Sequence, residues 1–235
     1  MNKGYGQFCP LAKAAKLLCE RWTMIVVREL VAGSKRFNEL RRGLPLMSPT
    51  LPSRRLKQLM QAGVIDRRAE SDGASLYELT RAGKELQPLI EMLGIWGHRW
   101  VGSQLQDDDL DVGLLMWDIR RGVNRSVFPE SRIVIEFVFN DAPADMGHWW
   151  LVSSNHEIDL CLEDPGHEVD VLVKSSVRTL TSVWLSQYTF SQALKVGDLR
   201  LTGSEKIKQQ LPIWLQGSPL ARLGAQSLQT DPIRT

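Results

Sequence analysis

The residues best equipped for chemistry lie between Arg36 and Arg68, where the chain reads RFNELRRGLPLMSPTLPSRRLKQLMQAGVIDRR. Leu56, Leu59 and Met60 recur at helical spacing and define an inward face, and Gly63 marks the stop. On a wheel of about 100° per residue, Thr50, Arg54, Lys57, Gln58 and Gln61 point away from that face. Hydroxyl, guanidinium, ammonium and amide groups are the donors and acceptors that reach phosphates and base edges in a DNA major groove. A basic amphipathic helix alone is more often an outer helix with a solvated face, so its neighbours decide.

Ser48 followed by Pro49 reads as the helix start, a hydroxyl to cap free amides and then a ring whose missing N–H is needed least there. Phe37 to Arg42 forms a short preceding helix. After Gly63, Val64 to Arg68 reads as a strand, Ser71-Asp72-Gly73-Ala74 as a tight turn, and Leu76 to Leu79 as a returning strand. Helix, turn, helix and hairpin make a winged helix-turn-helix. In it Arg54 and Lys57 would be the main groove and phosphate contacts, with Thr50, Ser53 and Gln58 reading at short range. Lys35, Arg36, Arg67 and Arg68 would touch the DNA backbone. Ser48, Arg55 and Gly73 complete the expected DNA-binding set.

Upstream, Cys9-Pro10 opens a first helix and Arg21-Trp22-Thr23 a second that ends at Gly33. Downstream, Thr80 heads a helix that continues past Pro88 to Trp100. Its residues Leu86, Leu89, Ile90, Leu93, Trp96 and Trp100 form a stripe longer than one small domain needs. That stripe implies a homodimer, with two reading helices about 34–36 Å apart on an inverted-repeat operator in double-stranded DNA.

Charge is divided along the chain. Residues 1–100 hold 17 Lys/Arg and 9 Asp/Glu, and the remainder 12 and 18, so a net charge of +2 conceals halves of +8 and −6. A polyanion-binding half joined to a half with another task fits that asymmetry. The sequence has no long apolar run and no signal-peptide core, which implies a cytoplasmic protein with no membrane partner. Three scattered cysteines suggest neither a disulfide framework nor a metal site. HExxH, GxSxG and the phosphate-binding glycine motifs do not occur, so neither an enzyme nor a cofactor is expected.

Residues 9–100 resemble the HxlR-type family of bacterial winged-helix regulators. The resemblance rests on Cys9-Pro10, Trp22-Thr23, Arg28-Glu29-Leu30, Arg36 to Leu40, Ser48-Pro49, Ser53 to Leu56, Ala62-Gly63 and Tyr77 to Thr80. It implies dimeric promoter binding through the helix starting at Ser48. Pro52 departs from the family pattern and, as a fourth helical residue, would kink the reading end. In some members the cysteine opening the first helix senses oxidants or electrophiles. Cys9, near Lys3, Lys13 and Lys16, is the residue for that redox alternative, against its reading as a small packed hydrophobe.

After a polar, acidic linker, the rest of the chain alternates strands with helices. A helix spans Leu110 to Arg121, and Ile133, Ile135, Phe137 and Phe139 share one face of a strand. Trp149 to Val152, Ile158 to Leu162 and Val169 to Val173 are further strands; a helix begins at Ser176 and another spans Ser191 to Leu194. Leu199 to Leu201 makes the last strand before a helical end. The segments Val169 to Val173, Leu199 to Gly203 and Ile213 to Leu215 resemble the sterol-carrier-protein-like domain. That resemblance implies an apolar cavity for a hydrophobic small-molecule effector, lined by Trp117, Phe137, Trp150, Trp184 and Phe190. An ordinary filled core fits these aromatics equally well, and so does a lipid-binding or scaffold module whose DNA affinity is non-specific.

The expected fold class is thus α+β, a winged helix-turn-helix (mostly α with a β wing) followed by a sheet-and-helix domain. The domains run 1–102, linker 103–111, 112–220 and a flexible tail 221–235.

Overall fold

The computed structural model describes residues 5–48, 50–70, 73–101 and 105–229, with side chains up to 224. Lys3, Pro49, Ser71 and Asp72 lie outside the described residues. The chain divides into two compact units, Met1–Leu93 and Gly94–Thr235.

The first unit runs α1 (Pro10–Leu18), α2 (Thr23–Val31), α3 (Phe37–Arg42), α4 (Leu51–Gln61), β1 (Ile65–Ala69), β2 (Ser75–Leu79), α5 (Arg81–Lys84) and the start of α6 (Gln87–Trp100). Val26, Val27 and Leu30 of α2 meet Leu40 of α3, Leu56 and Leu59 of α4 and Ile65 of β1 in one core. Each such side chain, taken fully from water, contributes about 1.5–3 kcal/mol before entropy is counted. The strands pair antiparallel with Ile65 opposite Leu79 and Arg68 opposite Leu76. Gly73, at φ 79°, and the Glu70 amide donating to the Ala74 carbonyl at 2.8 Å shape the hairpin end.

Two expectations about helix boundaries are corrected. The reading helix begins at Leu51, not Ser48, with Thr50 as its N-cap and no side-chain cap. Pro52 is therefore the second helical residue, where an amide would have no intrahelical acceptor anyway, and it removes nothing. The helix expected from Thr80 to Trp100 is two helices, broken at Glu85 and Leu86. Pro88, near the start of α6, has no amide to continue the first. Thr80 caps α5 by accepting from the Gly83 amide at 3.1 Å and donates to the Gly63 carbonyl.

The second unit comprises the end of α6, α7 (Val112–Gly122), β3 (Ile133–Phe139), β4 (His148–Ser154), β5 (Glu157–Cys161), β6 (Val171–Ser175), α8 (Val177–Trp184), α9 (Phe190–Val196), β7 (Leu199–Gly203), α10 (Glu205–Trp214) and α11 (Pro219–Gln229). The sheet order is β5-β4-β3-β6-β7, antiparallel except for the central β3–β6 pair, where Ile135 lies beside Val171. Asn155 and His156, both at positive φ, turn β4 into β5. Alternation puts Ile135, Phe137, Trp149, Leu151, Val171 and Val173 on one face. That face packs with Leu115, Met116, Leu180, Leu211 and Trp214 into a second core. Asp111 and Ser176 cap α7 and α8 by accepting from the Leu114 and Thr179 amides at 2.7 and 2.9 Å.

The division between units falls inside α6 rather than in the acidic stretch at 103–111. Small residues explain why the end of α6 belongs to the second unit. A Cβ on Gly94 would lie 2.9 Å from Leu220, and one on Gly224 2.8 Å from the His98 ring. These approaches let α6 and α11 close on one another. Residues 221–229 thus continue a helix where a flexible tail was expected, and 230–235 lie outside the described residues.

Candidate nucleic-acid interface

The core side of α4 is fixed by Pro52, Arg55, Leu56 and Leu59, all buried. Its outer side presents Thr50, Ser53, Arg54, Lys57 and Gln61, all exposed, with Gln58 half-buried at the margin. Arg54 and Lys57 stand one turn apart, and neither is engaged by a carboxylate among the described residues. Ser48 is exposed just ahead of the helix, where its carbonyl accepts from the Leu51 amide at 3.0 Å.

Arg55 is the correction in this set. It is 6% exposed. Its Nε donates to the Arg21 carbonyl at 2.9 Å and its Nη1 to Gln58 Oε1 at 2.6 Å, and it pairs with Glu20 at 3.0 Å. A guanidinium held on three sides is not available to DNA; it ties α4 to the turn between α1 and α2. Its position among the inward residues of the helical wheel was the signal.

The second tie holds the other end. Glu29 is fully buried beside Arg28, whose Nη2 also donates to the Gly43 carbonyl at 3.1 Å. A Cβ on Gly43 would fall 1.9 Å from the Glu29 carboxylate, so only glycine fits where α3 gives way to the turn. Glu39 closes the start of α3 by accepting from the Lys35 and Arg36 amides at 2.7 and 2.9 Å. The α3–turn–α4 unit is thereby positioned from both sides.

The wing differs in its charge balance. Lys35 Nζ lies 2.9 Å from Glu78, Arg68 Nε 3.6 Å from the same carboxylate, and Arg36 pairs with Glu70. Arg67 Nε donates to Ser75 Oγ at 2.9 Å. The hydrogen bond from Lys35, then its charge and that of Arg68, hold the Glu78 carboxyl below the usual range. The Tyr77 amide donates to the Lys35 carbonyl at 2.8 Å, and Arg36 bridges Leu76, so the segment before α3 lines up as a partner of β2. All four expected backbone-contact cations are thus exposed on one ribbon. Asn38, Arg41 and Arg42 line a shallow cleft with Pro45 at the end of α3, and the sequence reading passed over them. Paired arginines at a helix C-terminus were the available sign.

Cys9 is half-buried at the N-cap of α1, ahead of Pro10, with its carbonyl accepting from the Lys13 amide at 3.1 Å. In the second unit Trp117, Phe137 and Trp184 share one core, and Phe190 packs against it. Trp150 lies on the opposite face of the sheet, beside His148, with ring centroids 6.0 Å apart. Trp149 is the inward neighbour, its Nε1 donating to the Met146 carbonyl at 2.8 Å. A Trp-Trp pair in a strand leaves which one faces inward to the register.

Along α6 the expected stripe divides. Ile90 is buried, whereas Leu89, Met92, Leu93, Trp96 and Trp100 are exposed, Trp100 at 67%. On the N-terminal side Phe8 and Leu11 are exposed at 93% and 75%, and α1 has no buried residue.

Residues 17–105 match the family model described as HxlR-like helix-turn-helix. The HTH-type transcriptional regulator YvaP of Bacillus subtilis is 35% identical over 104 residues, covering 43% of this chain and 96% of YvaP. The HTH-type transcriptional regulator Mb3122 of Mycobacterium bovis is 38% identical over 93 residues, covering 39% of this chain and 58% of that protein. A solved structure, the reduced form of the transcriptional regulator YodB from B. subtilis, is 28% identical. It covers 42% of this chain and all of YodB at a TM-score of 0.37.

Proposed function

Because this chain belongs to the HxlR-like helix-turn-helix family, we propose that it is a dimeric transcriptional regulator that reads an inverted-repeat operator through the exposed face of α4. The observation that carries the reading is the pair Arg54 and Lys57, exposed and without carboxylate partners on a helix whose other side is fully anchored. Docking is electrostatic: wing and helix cations replace the counterions condensed on the phosphates. Discrimination then comes from base edges met by Arg54, with Thr50, Ser53 and Gln58 within the same groove. Ser48 and the Gly73 turn flank the groove, and Lys35, Arg36, Arg67 and Arg68 meet the backbone. Within the first unit, Phe8, Leu11, Leu89, Met92 and Leu93 are exposed apolar side chains; exposed apolar surface of this kind marks interfaces and supports the dimer. Light scattering at micromolar concentration reads it directly, and a monomer removes the operator geometry.

The second unit, in this proposal, binds a small apolar effector in the manner of a sterol-carrier-like domain. Trp117, Phe137, Trp184 and Phe190 around one core support that assignment, as does the buried Trp184 Nε1, which has no hydrogen-bond partner. Native mass spectrometry of the purified protein tests it: a co-purified lipid supports a ligand domain, and its absence from every preparation leaves a scaffold. A redox reading would run through Cys9, whose place at the mouth of α1 is the observation in its favour. Unchanged regulation by Cys9→Ser under diamide removes that reading.

Selection of fragmented genomic DNA, followed by affinity measurements across salt, tests DNA recognition. A short inverted repeat bound at least ~10³-fold tighter than random DNA is expected. Uniform weak binding that disappears with modest salt would reduce the basic face to an electrostatic patch.

A further inference from the structure

Behind the reading face of α4, on the side turned towards α1, the first unit carries a groove of about 570 Å³. One wall is Lys13, Lys16 and Leu17 of α1 with Glu20 after it; the other is Gln58, Gln61 and Ala62 of α4 and its end. That volume is in the range of small-molecule sites. Its charge is one-sided. Glu20 is matched by Arg55 at 3.0 Å, while Lys13 and Lys16, one turn apart on α1, meet no carboxylate among the described residues. The carboxamides of Gln58 and Gln61 add donors on the facing wall, and Leu17 and Ala62 supply apolar surface between them. Two cations, two amides and a small apolar floor suit an organic acid with a compact hydrocarbon body.

We propose that this groove binds a small carboxylate, and that its occupancy weakens DNA binding. The link is Gln58, whose Oε1 accepts from Arg55 Nη1 at 2.6 Å while its side chain forms part of the groove wall. A carboxylate held by Lys13 and Lys16 draws the Gln58 amide towards α1. Arg55 then loses one of the three partners that fix α4 in register. The effect on DNA rests on the reading of α4 given above; the binding site itself does not.

The test uses the full-length protein with benzoate as probe and benzyl alcohol as its neutral counterpart, read by calorimetry without DNA. Saturable benzoate binding with Kd of ~0.1–1 mM is expected. The alcohol should not bind, and the K13Q/K16Q double variant, melting like the parent, should lose ~10-fold or more in affinity. No saturation by ~10 mM, equal binding of the alcohol, or undiminished binding by the double variant would each overturn the site. On an operator fragment, benzoate should weaken DNA binding, and DNA should weaken benzoate binding by the same factor, as linkage requires. Benzoate that binds without changing DNA affinity overturns the coupling and leaves DNA reading intact. A double variant that binds DNA more weakly with no acid present would make the lysines DNA contacts and overturn the proposal.

Discussion

The reading helix and the wing carry comparable numbers of cations, but the two regions hold them differently. On α4, Arg54 and Lys57 project from a backbone fixed by buried residues on its far side, and no carboxylate engages them. On the wing, Lys35, Arg36 and Arg68 are each paired with Glu78 or Glu70. Exposed ion pairs of this kind are worth about 0–1 kcal/mol, so a phosphate can displace the carboxylate at little cost. A helix whose backbone is anchored sets where its free charges enter the groove, so a base that offers no matching edge goes unpaired. A ribbon with internally compensated charges suits contact with any sequence. Under the proposed function, the first region would serve specificity and the second adaptable attachment.

Mutations can break or sharpen that contrast. The largest effect is expected from Arg55→Ala, which removes the anchor behind the reading face and leaves Glu20 and the Arg21 carbonyl without it. A loss of about 2–3 kcal/mol in stability is expected by urea denaturation, below the cost for a fully buried pair because Glu20 is partly exposed. A loss under ~0.5 kcal/mol would mean that α4 is held by its apolar residues alone. Next is Arg54→Ala, which should cost about 1–3 kcal/mol on the best operator and much less on random DNA. Equal losses on both would move Arg54 to the phosphate class and erase the contrast. Lys57→Ala should weaken all sequences alike and lower the salt slope by about 1.

The smallest effect is expected from Glu78→Gln, which frees Lys35 and Arg68 and should raise affinity for random DNA ~2- to 5-fold while leaving discrimination unchanged. Acid should act in the same direction. The Glu78 carboxyl titrates below its ordinary range because Lys35 and Arg68 stabilise its charged form. Its contribution to holding the wing is therefore present above the ordinary glutamate range and is lost as pH falls through the lowered value. A carboxyl NMR titration of Glu78, shifted upward by Lys35→Ala, would check the cause.

Much of this arrangement was legible in the sequence because it depends on local periodicity. Leu56 and Leu59 fixed the inner face of α4, and Gly73 with its flanking strands fixed the wing. The strands from Ile133 to Leu201 could be read because alternation exposes one sheet face and buries the other. What escaped depended on partners distant in sequence. Arg54 and Arg55 are adjacent and chemically identical; the helical turn sends Arg54 outward and leaves Arg55 at the margin of the inner face, where Glu20 and Arg21, more than thirty positions earlier, hold it in the interior. Trp149 and Trp150 differ in the same way, through a register set by Phe137 and Glu136 on the neighbouring strand. Pro52 looks disruptive only when Ser48 is taken as the cap; with Thr50 as the cap, two residues on, Pro52 sits at the second helical position, where it removes no bond. The end of α6 packs with α11 through Gly94 and Gly224, and glycines in helices announce close approach only after the partner is known.

The parallel pair at the centre of the second sheet has a consequence for how the protein is made. Val171 must find Ile135, thirty-six positions earlier, before the middle of the sheet exists, whereas the first unit is assembled mainly from helices and a tight hairpin. Chain closure over long spans slows folding, and local contacts speed it. On the ribosome the first unit also emerges first. The order of birth therefore matches the order of folding speed, and the sheet forms after the first unit is finished instead of competing with it for the same nascent apolar segments.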